Sequence, residues 1–134
     1  GRHNLYNHLD MLVREAEDTI TLVTTADGLD RKIEVLLPSL EKAKKRGVKI
    51  RIAAPITVGN SKIARELAKV AEVRDSGSLK ARFCVIDSEE ILFMLLNDET
   101  VHPNYDLGVW INTEFFAKAL EQLFDIAWNN FKKI

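Results

Sequence analysis

Three side chains near the middle of the chain, Lys80, Arg82 and Asp87, have the types and spacing of an anion-binding or effector-binding site. Lys80 and Arg82 are two residues apart, so on a β-strand their side chains share one face. The alternative, which we favour, is structural. A buried arginine has to be paired, and Asp87 and Glu90 are the nearest carboxylates.

Metal chemistry is not suggested by the remaining residues. The spacings of His3, His8 and His102 fit no zinc pattern, and no cysteine or carboxylate cluster joins them. We therefore expect no metal site and no cofactor. The single cysteine, Cys84, cannot form an internal disulfide, which favours a reducing compartment such as the cytoplasm.

The charge balance argues against direct DNA binding by these residues. Lys and Arg number 19 against 20 Asp and Glu, which gives a formal net charge of −1, whereas duplex-binding domains usually carry a basic excess. The basic run within residues 42–51 is interpreted as a solvated face and a favourable helix C-terminus. No apolar run approaches the length of a bilayer span, so no membrane partner is expected.

The elements that must position these residues follow from the hydrophobic pattern, and 134 residues without repeats or linkers predict a single domain, 1–134. Thr25 or Asp27 caps a helix that ends at Arg46 and that Pro38 should kink or split. Asn112 caps the last helix. Further helices are predicted at 5–16, 61–70 and 113–132, and strands at 19–24, 48–54, 71–75, 80–86, 91–96 and 107–111.

This order of elements predicts an α/β fold. Strands separated by helices pair in parallel through crossovers, and the hairpin of residues 80–96 adds antiparallel strands. We expect a mixed, mostly parallel sheet with helices on both faces.

Two segments carry a resemblance to known proteins. Residues 36–50 (LLPSLEKAKKRGVKI) and 109–120 (VWINTEFFAKAL), with Phe124 and Trp128 further on, resemble segments shared by phospholipase D-like domains and TrmB-type archaeal transcription regulators. The resemblance covers nearly the whole chain. It implies the fold of one phospholipase D-like half.

The resemblance also implies that catalysis is lost. The superfamily pattern is His-x-Lys-x-x-x-x-Asp, and aligning its Asp with Asp87 places Lys80 at the His position and Arg82 at the Lys position. Phosphoryl transfer in that family needs an imidazole nucleophile, and a lysine protonated at neutral pH is a poor substitute. We expect no catalytic residues and no enzyme activity.

By this resemblance the chain is the regulatory, dimerising and effector-sensing domain of a TrmB-like regulator. DNA would be bound by an upstream winged helix-turn-helix that is not among these residues. Two alternatives stay open: one half of a phospholipase D-type nuclease or phosphodiesterase, and a small-molecule binding module without a DNA role.

The last predicted helix has a wider apolar face than it needs for packing against one core. It is either packed deeply between two layers or forms a homodimer interface, where aromatic anchors are enriched. Trp110, on the strand before it, is expected in the core. The interface candidates are Phe115, Phe116, Leu120, Leu123, Phe124, Ala127, Trp128 and Phe131.

Two polar loops suggest a second location for an effector. Residues 97–106 lie between two predicted strands, and residues 24–28 precede a helix N-terminus, which attracts anions. The interpretation that we favour is that both loops are simply solvated.

Overall fold

The computed structural model describes all residues from 1 to 134 and contains four helices and seven strands. A short 3-10 turn covers Pro103–Tyr105. The helices are α1 (Arg2–Glu15), α2 (Ala26–Lys45), α3 (Ser61–Leu67) and α4 (Glu114–Trp128). The strands are β1 (Thr19–Val23), β2 (Lys49–Ala54), β3 (Glu72–Asp75), β4 (Phe83–Ile86), β5 (Glu90–Met94), β6 (Gly108–Asn112) and β7 (Lys132–Lys133).

All seven strands form one mixed sheet in the order β6-β5-β4-β1-β2-β3-β7. Only the β1–β2 and β2–β3 pairings are parallel, and the other four are antiparallel. The mixed sheet is confirmed, but the expectation of mostly parallel pairing is wrong. Helical crossovers join only the first three strands, whereas β4, β5 and β6 follow one another in antiparallel order.

Helices cover both faces of the sheet, as expected. On one face, α1, α2 and α3 pack against the sheet through residues such as Leu9, Leu36 and Leu67. On the other face α4 lies alone, where Phe124 and Trp128 join a small buried cluster. No helix is both long enough and apolar enough to cross a membrane.

Helix α2 runs unbroken past Pro38, so the expected split does not occur. Proline cannot donate a hydrogen bond to the carbonyl of Glu34 one turn earlier. Both residues are exposed, so that carbonyl faces solvent and water can satisfy it. At the start of the helix, the Thr25 hydroxyl accepts a hydrogen bond from the Gly28 N–H at 3.0 Å, so Thr25 is the cap rather than Asp27.

Helix α4 is shorter than the sequence predicted and is capped by Thr113 rather than Asn112. It ends at Trp128, whose carbonyl accepts a hydrogen bond from Arg74 at 2.8 Å. The chain then pairs with β3 as the short edge strand β7. The prediction of helix up to Lys132 was wrong because a sheet edge, distant in sequence, recruits these residues.

Candidate functional site

Arg82 lies just before β4 and is only 5% exposed. Its two terminal nitrogens donate to both carboxylate oxygens of Asp106, at 2.9 and 2.8 Å, and Nη1 also donates to the Leu96 carbonyl at 2.9 Å. The expected ion pair therefore exists, but its partner is Asp106 rather than Asp87 or Glu90. A planar guanidinium held by two parallel hydrogen bonds has little freedom to move.

Asp106 is shared by two arginines. Arg2, in the first turn of α1, donates from Nε to Asp106 Oδ2 at 2.9 Å. Burial alone would raise the pKa of Asp106, but the hydrogen bonds from Arg82 and Arg2 outweigh it and lower the pKa to about 2. The carboxylate is therefore charged at every physiological pH and links α1 to the end of the sheet.

Asp98 lies near the start of the loop of residues 97–106, and Asp106 lies at its end. It accepts a hydrogen bond from the Thr25 hydroxyl at 2.7 Å and a charged hydrogen bond from Arg31. Gly28 permits this approach, because a Cβ there would collide with the Thr24 hydroxyl and press on the Asp98 carboxylate. The two polar loops named above therefore meet, and our view of them as simply solvated was wrong for Asp98 and Asp106, which are both buried.

Lys32 is a fourth cation in this region, and sequence reasoning missed it. Its side chain is buried, and its amine donates to the Thr24 hydroxyl at 2.9 Å and lies 4.9 Å from the centre of the Tyr6 ring. Burial and, to a smaller extent, the positive charge of Arg82 lower the pKa of Lys32 to about 7. A signal was present, because Lys32 falls on the apolar face of α2, between Leu29 and Leu36 at helical spacing.

These buried and half-buried charges form what we call the ion cluster. It comprises Arg2, Arg31, Lys32, Arg82, Asp98 and Asp106. Three arginines face two aspartates, so the net charge is +1 with Lys32 neutral and +2 with Lys32 protonated. The cluster therefore has spare positive charge.

A cavity of about 250 Å³ opens beside the ion cluster. Half of its lining is apolar and half is polar. Arg82 contributes to the wall, and its Nε has no hydrogen-bond acceptor, because the nearest carboxylate oxygen, on Asp98, is 3.8 Å away. The lining residues are Thr25, Lys80, Ala81, Arg82, Met94, Leu95, Leu96 and Asn97.

Lys80 and Asp87 are not brought together. Lys80 is exposed at the cavity, with its amine 3.4 Å from the Glu99 carboxylate. Asp87 lies beyond the opposite end of β4, where its carboxylate accepts hydrogen bonds of 2.7–3.2 Å from the N–H groups of residues 17–19. Its role is to fix the turn between α1 and β1, so the three-residue grouping expected from the sequence has to be corrected to Lys80 and Arg82.

The eight interface candidates divide between two sides of α4. Phe124 and Trp128 are buried against the sheet, whereas Phe115 is 87% exposed and Leu123 is 68% exposed. Phe116 is also exposed. The remaining three, Leu120, Ala127 and Phe131, are half-buried. Deep packing therefore describes one side of the helix, and the opposite side is free.

The exposed apolar side of α4 continues onto the sheet. The rings of Phe93 and Phe116 are 6.3 Å apart, and Val109 on β6 pairs with Phe93. We call the exposed set the α4–β6 surface. It consists of Leu95, Leu107, Val109, Phe115, Phe116, Leu123 and Ile126.

Four members of this surface, Leu95, Leu107, Val109 and Ile126, were not among the interface candidates named from the sequence. Trp110 was expected in the core but is 45% exposed on the edge strand, with its indole N–H donating to Glu90 at 3.2 Å. An edge strand has no neighbour on its outer side, so its apolar residues need not be buried.

The chain was also compared with known proteins. Its sequence matches no protein-family profile and no curated relative. Its structure matches TrmBL2, described as an archaeal chromatin protein with a novel mode of DNA binding, with a TM-score of 0.79 and 24% identity over 100% of this chain. The chain spans about half of that protein, 51% of its length.

Two further solved structures are similar as well. Nuc from Salmonella typhimurium, a phospholipase D family member, has a TM-score of 0.64 at 15% identity, and the match covers 99% of this chain and 90% of that one. NucT from Helicobacter pylori has a TM-score of 0.73 at 12% identity, and the match covers 99% and 92%. The chain has a phospholipase D-like fold. At these identities the likeness concerns the fold, and function has to be argued from the site.

Proposed function

We propose that this chain is the regulatory and dimerising domain of a DNA-binding transcription regulator of the TrmB type, acting in the cytoplasm. The observation that carries the proposal is the match of the whole chain to about half of TrmBL2. If the regulator is as long as TrmBL2, the half that lies outside this chain has room for a DNA-binding segment.

The charges of this domain support DNA binding elsewhere. Several cations of the basic run are used internally: Lys44 donates to the Lys69 carbonyl, Arg46 to the carbonyls of residues 13 and 16, and Arg51 pairs with Asp125. Cations engaged in this way are poorly placed to neutralise phosphates. The regulator would therefore bind its operator through residues outside this domain.

The site supports a non-catalytic role. Lys80 occupies the position of the family's nucleophilic histidine, but it is an exposed amine whose nitrogen lies 3.4 Å from the Glu99 carboxylate. Arg82, at the position of the family's lysine, is held in two hydrogen bonds by Asp106. Neither side chain supplies the imidazole nucleophile of the family's pattern.

The alternative, half of a phospholipase D-type phosphodiesterase, is favoured by the near-complete coverage of Nuc and NucT. It is tested with the full-length protein and a chromogenic phosphodiester. We expect no turnover above the background of a heat-denatured sample. Turnover that disappears in a Lys80→Ala/Arg82→Gln double variant would show that the chain is an enzyme.

We further propose that the α4–β6 surface is the homodimer interface. Apolar patches of this kind on a soluble domain usually mark an interaction site. A twofold interface is self-complementary, and α4 carries both signs of charge beside its exposed apolar stripe, on Glu114 and Lys118. A second copy of the chain would cover this apolar surface with an equivalent one.

Sedimentation equilibrium tests the dimer. The wild-type chain should be dimeric at micromolar concentration, and Leu123→Glu/Ile126→Glu should be monomeric with an unchanged circular dichroism spectrum. The matched control is Val58→Glu, at an apolar residue that is 99% exposed in the loop between β2 and α3, and it should stay dimeric. A monomeric wild type, or a dimer that survives the double substitution, would refute this interface.

A further inference from the structure

We infer that the outer edge of β6 is a second self-association surface, on which β6 pairs in antiparallel with β6 of another copy of the chain. This goes beyond the function proposed above. It does not depend on the α4–β6 surface, because the contact is made by backbone groups at the rim of the sheet and not by one of its faces.

Every second residue of β6 directs its backbone hydrogen-bonding groups away from the sheet. The Leu95 N–H donates to the Leu107 carbonyl at 2.9 Å, and the Thr113 N–H donates to the Glu89 carbonyl at 2.8 Å. The register between β5 and β6 is continuous between these two bonds, and the direction of the backbone groups alternates along an antiparallel strand. Because β6 is at the edge of the sheet, no strand of this chain pairs with the outward groups. The outward-facing residues are Gly108, Trp110 and Asn112.

The two edges of the sheet differ in their protection against pairing. At one edge, β7 consists of two residues, Lys132 and Lys133, and short, lysine-bearing edge strands are a common defence against pairing with another chain. At the other edge, β6 has five residues without a charge or a proline. Its Val109 and Trp110, on opposite faces of the sheet, are 41% and 45% exposed. β6 therefore lacks the features that would prevent pairing.

The sequence of β6 is complementary to itself, which identifies the partner as a second copy. A twofold axis at Trp110 places this residue opposite Trp110 of the second copy, and the two exchange both of their outward backbone bonds. Gly108 then lies opposite Asn112, and Val109 opposite Ile111. Aromatic and β-branched cross-strand pairs stabilise a sheet, and no like charges face each other. A contact of this kind closes after two copies.

The β6 contact should be weaker than the α4–β6 dimer. One pair of five-residue strands gives a small interface, and interfaces that bury less than about 1,200 Å² in total are typically transient. At micromolar concentration we therefore expect no β6 pairing. It should appear as the concentration approaches the millimolar range.

Amide hydrogen exchange, followed by NMR at micromolar and at millimolar concentration, tests the pairing. The Leu123→Glu/Ile126→Glu variant is used beside the wild type, because it removes the contact through α4. In both proteins the amides of residues 108, 110 and 112 should become protected at the higher concentration, whereas those of residues 109 and 111 should be protected throughout. Unchanged exchange at the first three amides, or new protection at β7 instead, would overturn the inference.

The same samples separate this inference from the proposed dimer. The size of the double variant at micromolar concentration tests the α4–β6 surface, and the concentration dependence of the three outward amides tests β6. Either proposal can therefore fail while the other stands.

Trp110→Pro, made in the double variant, removes the donor at the axis. Proline is tolerated on an edge strand where the N–H faces solvent, so the circular dichroism spectrum should not change. Both backbone N–H bonds at the axis are lost, and self-association measured by sedimentation equilibrium should weaken at least about tenfold. Association equal to that of the double variant would contradict edge pairing.

A charge at the same residue tests the register without a change in the backbone. In the double variant, Trp110→Lys should abolish association, because two like charges would lie opposite each other. Mixing this protein with the corresponding Trp110→Glu protein should restore it. Val58→Lys, at an apolar residue that is 99% exposed in the loop between β2 and α3, is the matched control and should associate like the double variant. A mixture that associates no better than its two components would overturn the twofold pairing at Trp110.

Discussion

The face of the sheet under α1, α2 and α3 encloses a cluster of 21 buried apolar residues, whereas the face under α4 holds two clusters of four and three. The first face also buries the ion cluster, whereas the second leaves Phe115, Leu123 and Ile126 largely in solvent. One face is therefore complete within the chain. The other leaves an apolar surface open to solvent, and in the dimer proposed above a second copy of the chain would cover it.

The first prediction, with the largest expected effect, removes a buried charge from the face of the sheet under α1, α2 and α3. Asp106→Asn leaves Arg82 and Arg2 without their shared carboxylate, and we expect the free energy of unfolding to fall by about 3–5 kcal/mol, as for other broken buried pairs. Urea denaturation measures the loss. Asp125→Asn is the matched control, because its pair with Arg51 is solvent-exposed and exposed pairs contribute at most about 1 kcal/mol.

The same pair predicts how wild-type stability depends on acid. The folded-state pKa of Asp106 is about 2, below its ordinary value of 3.8. Its contribution is therefore fully present above pH 3.8 and is lost as the pH falls towards 2. Asp106→Asn should remove this part of the acid sensitivity, and an unchanged acid profile would show that another carboxylate is responsible.

The second prediction compares the same substitution, leucine to alanine, on the two faces of the sheet. Leu36→Ala in the large cluster should cost about 2–5 kcal/mol, whereas Leu123→Ala on the exposed side of α4 should cost under about 0.5 kcal/mol in the isolated monomer. Thermal unfolding of both variants at several protein concentrations measures the two losses of stability. If the α4–β6 surface is an interface, the effect of Leu123→Ala grows with concentration, because association adds stability only to the folded state.

The third and smallest effect concerns Lys32. Burial lowers its folded-state pKa to about 7, from 10.5, so between these values the unfolded chain binds one more proton than the folded chain. Stability should rise by about 1.4 kcal/mol per pH unit as the pH increases from 7. Lys32→Met should flatten this rise and stabilise the protein at pH 7. The reference variant is Lys62→Met on the exposed side of α3, which should keep the wild-type slope.

Much of the fold could be predicted because it depends on local pattern. Alternation in residues 19–24 identified β1, and helical periodicity identified α1 and α4 as apolar-faced helices. The C-terminal end of α4 could not be predicted, since Lys132 and Lys133 become a strand only through pairing with β3. Local propensity does not contain such a long-range contact.

The candidate site could be predicted only in part. The burial and pairing of Arg82 follow from a cation placed in an apolar strand, but its partner lies 24 residues further along, across an irregular loop. Asp87 was grouped with Arg82 because they are near in sequence, although a strand separates their side chains. Alignment to a motif gives positions, and only the folded backbone shows which side chains meet.

The two tryptophans give the protein two separate optical reporters. Trp128, the last residue of α4, is buried against the sheet, with the Arg74 guanidinium 4.5 Å and that of Arg51 5.3 Å from its ring. Trp110 is half-exposed on the edge strand β6. Cations over an indole face and exclusion of water alter its emission spectrum, so Trp128 should emit at shorter wavelength than Trp110. With Trp110 replaced by Phe, the emission wavelength of Trp128 would report a release of α4 from the sheet even when the rest of the chain stays folded.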